Sequence, residues 1–440
     1  MSLTSLAFVA TYAFGLLRAF ASHPGWGLVT YMAVFYLHPP MRWWGASLPD
    51  AVRWALIAAV VTLIALPRAK LPASATPWQS LPITKAIVAY TVWMWIQLAW
   101  ANPMHFADLI LVTKYCLLLY LFYRIVVNEQ WLVAMSLTHV LGCFYFGWLA
   151  LDASGAGRLE AIGGPGVNDS NTLGMHVSTS LFFAGTLILT QRGWRRWLTL
   201  ATVPVLANCV VQTESRGAFL GAAVGALAYF YFAPKRHRPV ILSLGTIALF
   251  VLLAYAPSAY WERIASIGAA TTSEEALDHS AQSRLVIIGA QFRMFKDYPV
   301  GLGSRTTAYL SRGYLAAEWL TAARGQDLAR HGARASHNSI MSVVTDQGVP
   351  GIVISLFALA AIIQMFRRMR QYSRAGSDPT VALMGASCCA ALVTVWTAGL
   401  FTNYLRAEIQ IWCLAMLAAI IQLPRTKPAA AAAPTRTPCA

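Results

Sequence analysis

The chemistry this sequence offers lies in one histidine and a set of arginines. His337 sits in Ser336-His337-Asn338, just ahead of a short helical stretch, Ser339–Gln347. A neutral imidazole can take a proton from a sugar hydroxyl near neutral pH, and a place at a helix start disfavours its protonated form. A histidine beside a helix cap also has a purely structural reading, with Asn338 as its polar neighbour. Arg158, Arg216, Arg284, Arg305, Arg312 and Arg406 fall between apolar runs or at their mouths, where lysine is scarce. Guanidinium groups match phosphate oxygens through paired donors, so the set points to a diphosphate-like anion. Three of them have a nearby acid that would account for them locally: Arg158 with Glu160, Arg216 with Glu214, and Arg406 with Glu408. Arg216 stands out, because Ser215-Arg216-Gly217 opens an apolar run whose helix N-terminus itself favours an anion. Arg284, at the start of an amphipathic stretch, is next.

The elements that must position these groups are membrane helices. Of 440 residues, 58% are hydrophobic and 11% charged, whereas soluble domains carry charge at about a quarter of positions. Thirteen apolar runs, from Ser5–Phe20 to Ala407–Leu423, approach the ~20 residues that cross a hydrocarbon core. About twelve transmembrane helices are expected, since Ser5–Phe20 and Gly25–Leu37 are short and separated only by Ser22-His23-Pro24. The fold class is therefore an all-α polytopic membrane protein, and no removable signal peptide is expected ahead of the first run. Basic residues concentrate in short loops: Arg68/Lys70/Lys85, Arg192/Arg195/Arg196, Lys235-Arg236-His237-Arg238 and Arg367/Arg368/Arg370/Arg374. The positive-inside rule makes those loops cytoplasmic, so the net charge of +16 reads as topology and no nucleic-acid partner is expected. By parity, Pro39–Asp50, Asp152–Asn171, Thr213–Arg216, Pro257–Asn338 and Thr402–Arg406 lie outside. The expected organisation is an N-terminal bundle over 1–256, one long periplasmic loop over 257–338, C-terminal membrane helices over 339–424 and a disordered cytoplasmic tail over 425–440.

Within the long loop, Ser283–Tyr298 places Leu285, Ile288, Phe292 and Phe295 on one helical face, an amphipathic helix expected to rest near the outer membrane interface. Pro299-Val300-Gly301-Leu302-Gly303 ends it, and a second helix is expected over Tyr309–Ala323. Ser336 or Asn338 would cap Ser339–Gln347, which Gly348-Val349-Pro350-Gly351 stops. A broken helix at membrane depth is tolerated where it lines a cavity. The turn Gly163–Asn171 reads as a turn and cap, with Asn168 and Asn171 as the alternative polar contacts to a sugar or lipid head group. Six of the seven cysteines lie in apolar runs, with Cys439 in the tail, and no zinc-like Cys/His spacing stands out. Glu274, Glu275, Asp278 and His279 read as a solvated acidic face rather than a metal site. His331, like His279, lies among polar residues. No metal or cofactor is called for.

Ser215-Arg216-Gly217 opening a span, Arg284, Asp297-Tyr298-Pro299-Val300-Gly301-Leu302-Gly303, His337-Asn338 and Asp346-Gln347-Gly348-Val349-Pro350-Gly351 follow one another in this order. In that order and topology, roughly Asn168 to Leu423, the chain resembles the bacterial O-antigen ligase superfamily, which also holds O-antigen polymerases and pilin O-oligosaccharyltransferases. His38-Pro39-Pro40 resembles the exosortase-associated branch. The resemblance implies a metal-independent glycosyltransferase of the periplasmic face of the bacterial inner membrane. Its donor would be an undecaprenyl diphosphate-linked glycan, and for a ligase the acceptor would be a hydroxyl of lipid A-core. It makes His337 the general base and has Arg216 and Arg284 hold the diphosphate; Arg305, Arg312 and Arg406 rest on charge alone. No paired carboxylates of the retaining kind are evident, so a single inverting displacement is expected. A secondary transporter would place its charges mid-membrane, and a flippase has less need of a long outer loop.

Overall fold

The computed structural model describes residues 2–70, 75–153, 159–258, 260–261, 279–322, 326–327, 331–375 and 378–423. The tail, Cys439, Arg158 and the acidic group Glu274, Glu275, Asp278 lie outside the described residues, as does the His279 side chain.

Among the described residues, fifteen α-helices follow in chain order: α1 Leu3–Ala21, α2 Gly25–Leu37, α3 Trp54–Ala65, α4 Pro82–Gln97, α5 His105–Ile125, α6 Glu129–Asp152, α7 Ser170–Thr190, α8 Trp194–Gln212, α9 Arg216–Phe232, α10 Arg238–Tyr255, α11 His279–Asp297, α12 Thr306–Tyr314, α13 Ser339–Arg374, α14 Pro379–Ala398 and α15 Glu408–Ile420. Each of the thirteen apolar runs falls on a helix. Among the described residues, seven helical segments are long and apolar enough to cross a membrane, and three shorter apolar helices accompany them. This is a multi-pass membrane architecture. Ser22-His23-Pro24 separates two distinct helices rather than bending one.

Side chains ahead of the helices satisfy the first free N–H groups. Asp169 caps α7 by accepting from Asn171 and Thr172 N–H at 3.0 and 3.1 Å. Ser215 caps α9, and Asn338 caps α13 by accepting from Met341 N–H at 3.0 Å. The core centres on α14, whose buried residues include Leu383, Met384, Cys388, Cys389 and Leu392. Glycines let α9 lie against it: a Cβ on Gly221 would come within 2.7 Å of the Thr394 carbonyl, and one on Gly225 within 2.1 Å of its hydroxyl. Small residues four apart are what close membrane-helix packing requires.

The expected amphipathic helix forms as α11, and it also packs a second face against protein. On α11 the buried residues are Ser283, Ile287, Ala290, Gln291 and Met294, whereas Leu285 and Phe292 are exposed. Ile287, Ala290 and Met294 form a small apolar cluster with Leu315. Leu315 is drawn into that cluster, which explains why α12 stops at Tyr314 instead of continuing through the expected Tyr309–Ala323 stretch. A 3-10 turn, Ala317–Trp319, follows.

Two glycine motifs far apart in sequence form one clasp. The Gly348 break lies inside α13 at φ 61°, ψ −160°, so the chain kinks there and resumes a helix rather than stopping. Gly301 and Gly303 also have positive φ, at 76° and 80°. The two segments exchange Gly303 N–H to Asp346 O at 2.9 Å and Val349 N–H to Pro299 O at 2.8 Å. A Cβ on Gly348 would sit 2.3 Å from the Val300 carbonyl carbon, and one on Gly301 2.5 Å from the Asp346 carbonyl oxygen. Positive φ and the absence of room both demand glycine here. Around the clasp, Gln97 donates to Asp346 O at 3.0 Å, Trp93 to Gln347 O at 3.0 Å and Trp100 to Gly301 O at 2.9 Å. Gly301→Ala and Gly348→Ala should each lose stability of order 1–3 kcal/mol, read as a lowered unfolding midpoint in detergent. Gly313→Ala, where an added methyl meets nothing within 4 Å, should leave the midpoint unchanged or raised.

Candidate functional site

The clasp aims Arg305. Asp346 accepts from the N–H groups of Arg305 and Thr306 at 3.1 and 3.0 Å, capping α12 from a distant helix. Arg305 itself adopts a left-handed conformation, φ 64°, which is costly for a residue with a side chain and persists only where surroundings enforce it. From there its guanidinium reaches Asp108 at the start of α5, with Nε to Oδ2 at 3.0 Å and Nη2 to Oδ1 at 2.9 Å. Arg406 donates to the same carboxylate at 3.2 Å. The local partner expected for Arg406 is thus wrong: Glu408 instead accepts from Tyr31 at 2.8 Å and Trp412 at 3.1 Å. Asp108 is buried, at 6% side-chain exposure, while both arginines are 42% exposed. The charges on each side of this pair are unequal, two guanidiniums to one carboxylate.

These groups open onto a cavity of about 1100 Å³, whose wall includes Asp108, Arg305, Arg406, His337, Asn168 and Asn171. The structure therefore gathers five of the expected site residues around one space. Others stand beside it. Arg216 is the first residue of α9, and the preceding Ser215 donates to Asn171 at 2.9 Å, joining the starts of α7 and α9. Asn338 spends its side chain on the helix cap and on Leu400 O, 3.1 Å away. Arg312 is exposed on α12. The expected roles of Arg216, Arg284 and Arg312 do not rest on lining this cavity.

His337 is tethered from both sides. Ser336 accepts from Gln291 of α11 at 2.9 Å and donates to Asn338 O at 3.0 Å. Burial first, and then the cations Arg334 and Arg284, together push the imidazole down to about 4 against the opposing pull of Asp169. Such a ring is neutral at physiological pH and able to accept a proton. Arg284 so enters the site through its field on His337.

Further wall residues were not singled out from the sequence: Asp108, Lys114 and Arg53, beside His38 of the His38-Pro39-Pro40 motif. Asp108 and Lys114 lie in an apolar span, and an ionisable group there is itself a functional signal. His139, Cys143 and His176 form the group, among the described residues, whose ligand atoms come within 4.8 Å of one another.

Residues 200–356 match the protein family described as O-Antigen ligase. This segment is similar to an O-antigen ligase domain. It holds Arg216, Arg284, Arg305, Arg312, His337 and both halves of the glycine clasp, and it supports the superfamily that the motifs resemble. The family is consistent with a ligase- or polymerase-type glycosyltransferase acting on lipid-linked substrates in a membrane. No curated protein matches the chain.

The shifted imidazole fixes a pH window. Unfolded, His337 titrates near 6.5, and folded near 4, so below 6.5 the unfolded state binds a proton that the folded site refuses. Stability drawn from His337 should fall as pH drops from about 6.5 to about 4, and His337→Gln should lose that acid sensitivity in melting curves recorded across the window. Arg334→Gln should raise the His337 pKa towards 6.5, narrowing the window.

Proposed function

We propose that the protein is a membrane glycosyltransferase that moves a glycan from undecaprenyl diphosphate to a hydroxyl of lipid A-core on the periplasmic face of the bacterial inner membrane. The observation that carries this reading is a half-buried His337 that lines the same cavity as Arg305 and Arg406. His337 takes the proton of the acceptor hydroxyl. The freed oxygen bonds to the anomeric carbon as the bond from that carbon to the diphosphate oxygen breaks, and undecaprenyl diphosphate departs. Negative charge grows on the leaving oxygens, where Arg305 and Arg406 on the cavity wall oppose it; Arg216, Arg284 and Arg312, outside that wall, keep a diphosphate role in this reading only on the charge and motif argument. A well-placed donor of this kind is worth roughly 2.7–4 kcal/mol in other enzymes. One displacement inverts the anomeric configuration, and no step calls on a metal or cofactor.

Polymerase and protein O-oligosaccharyltransferase readings share the donor and differ in the acceptor. Purified protein supplied with lipid-linked O-antigen and rough lipopolysaccharide tests the choice. A ladder on lipopolysaccharide is the expected product, whereas lengthened lipid-linked glycan alone would replace ligase by polymerase. His337→Ala should abolish transfer while donor accumulates; full transfer by that variant ends the general-base assignment. Arg216→Ala and Arg284→Ala should each slow transfer at least tenfold, and wild-type rates would remove them from the diphosphate site.

A further inference from the structure

Behind the cavity, and apart from His337, lies a buried cluster that the proposed transfer does not use. His139 and Cys143 stand one turn apart on α6, and His176 faces them from α7; all three are buried. Cys143 Sγ lies 3.8 Å from His139 Nδ1. The Tyr36 hydroxyl, from α2, meets His139 Nδ1 and also lies 3.0 Å from His176 Nε2. Two imidazoles, a thiol and a phenol thus converge from three helices.

The tautomer of His139 follows from its neighbours. Thr179 donates its hydroxyl proton to the His176 carbonyl at 2.6 Å. The same hydroxyl lies 3.1 Å from His139 Nε2, so it is His139 Nε2 that must donate there. Nδ1 is left with its lone pair aimed at Cys143 and Tyr36. A second group fixing the ring so that the opposite nitrogen is a free donor of electrons is the arrangement found at metal-bound histidines.

We propose that His139, Cys143, His176 and Tyr36 form a structural zinc site that pins α2, α6 and α7 together. Tetrahedral zinc with N, O and S ligands at 2.0–2.3 Å sets them roughly 3.3–3.8 Å apart. The three metal-ligand atoms of the cluster already lie within 4.8 Å, so closure draws them in by about 1 Å, while the Tyr36 hydroxyl, now hydrogen-bonded to both imidazoles, moves outward to reach ligand spacing. Charge favours this ion. Binding releases the thiol and phenol protons, and thiolate plus phenolate cancel the two charges of Zn²⁺, leaving a neutral centre among apolar helices where net charge is costly. His176 also lines the cavity, which gives the ion and both protons a path. Phe35, Phe146 and Trp412 crowd the Tyr36 ring and shield the site from water.

The test uses full-length protein in detergent, stripped with a chelator, reloaded with Zn²⁺ alone and desalted. Wild type should retain about one zinc per chain and melt at a higher temperature than the stripped protein. Cys143→Ala should retain none, whereas Cys209→Ala, a buried cysteine outside the cluster, should behave as wild type. Co²⁺ loading of wild type should give a thiolate-to-cobalt charge-transfer band, so the site can be judged even where Cys143→Ala folds poorly. Loss of zinc from wild type on desalting, or a cobalt spectrum without thiolate bands, would overturn the proposal.

Discussion

The Asp108 carboxylate, gripped by Arg305 and Arg406, is the interaction on which the site depends. It joins the start of α5, the segment between α11 and α12, and the segment between α14 and α15. Removing one partner from such a cluster leaves the others poorly compensated, which is why buried charge groups of this kind hold their geometry. The grip is also unbalanced. Two cations share one anion, and each is still 42% exposed towards the cavity side. In the proposed reaction these two half-exposed guanidiniums are the groups that would meet an anionic ligand, among carboxylates that also line the cavity.

The aim of Arg305 is set by backbone rather than by side-chain packing. Asp346 takes two N–H groups at the start of α12, and Gly301, Gly303 and Gly348 allow the two chains to touch closely enough for that to happen. Two of the motifs that made the sequence resemble O-antigen ligases, Asp297–Gly303 and Asp346–Gly351, are therefore one contact surface. Their glycines are required by positive φ and close approach, and their aspartate orients the arginine. Specific chemistry on the cavity wall and the broken helix beneath it have a common cause.

The helical fold was legible because hydropathy and length act locally: every apolar run became a helix, and Asn338 caps α13 where a cap was expected. The His337 neighbourhood was legible through motif order. Pairing was not. Arg406 lies two residues from Glu408 in sequence, yet finds Asp108, because ion pairs follow helix packing rather than chain distance. The protein-facing side of α11 was not read from the sequence for a related reason. Leu285 and Phe292 share a helical stripe, but neighbouring protein claims Ile287 and Met294 instead. The His139, Cys143 and His176 cluster needed the third helix to become visible, although the spacing of the first two, four residues on one helix, was present in the sequence.

In the proposed reaction the unbalanced charge around Asp108 receives the diphosphate, and His337 acts beside it. That claim is tested most directly by the affinity of the purified protein for undecaprenyl diphosphate, compared with undecaprenol. The account predicts that the diphosphate lipid binds at least tenfold more tightly, and that Arg305→Gln and Arg406→Gln each remove most of that difference, a change of about 1.4 kcal/mol or more. Equal affinity for the two lipids, or an undiminished preference in both variants, would contradict it.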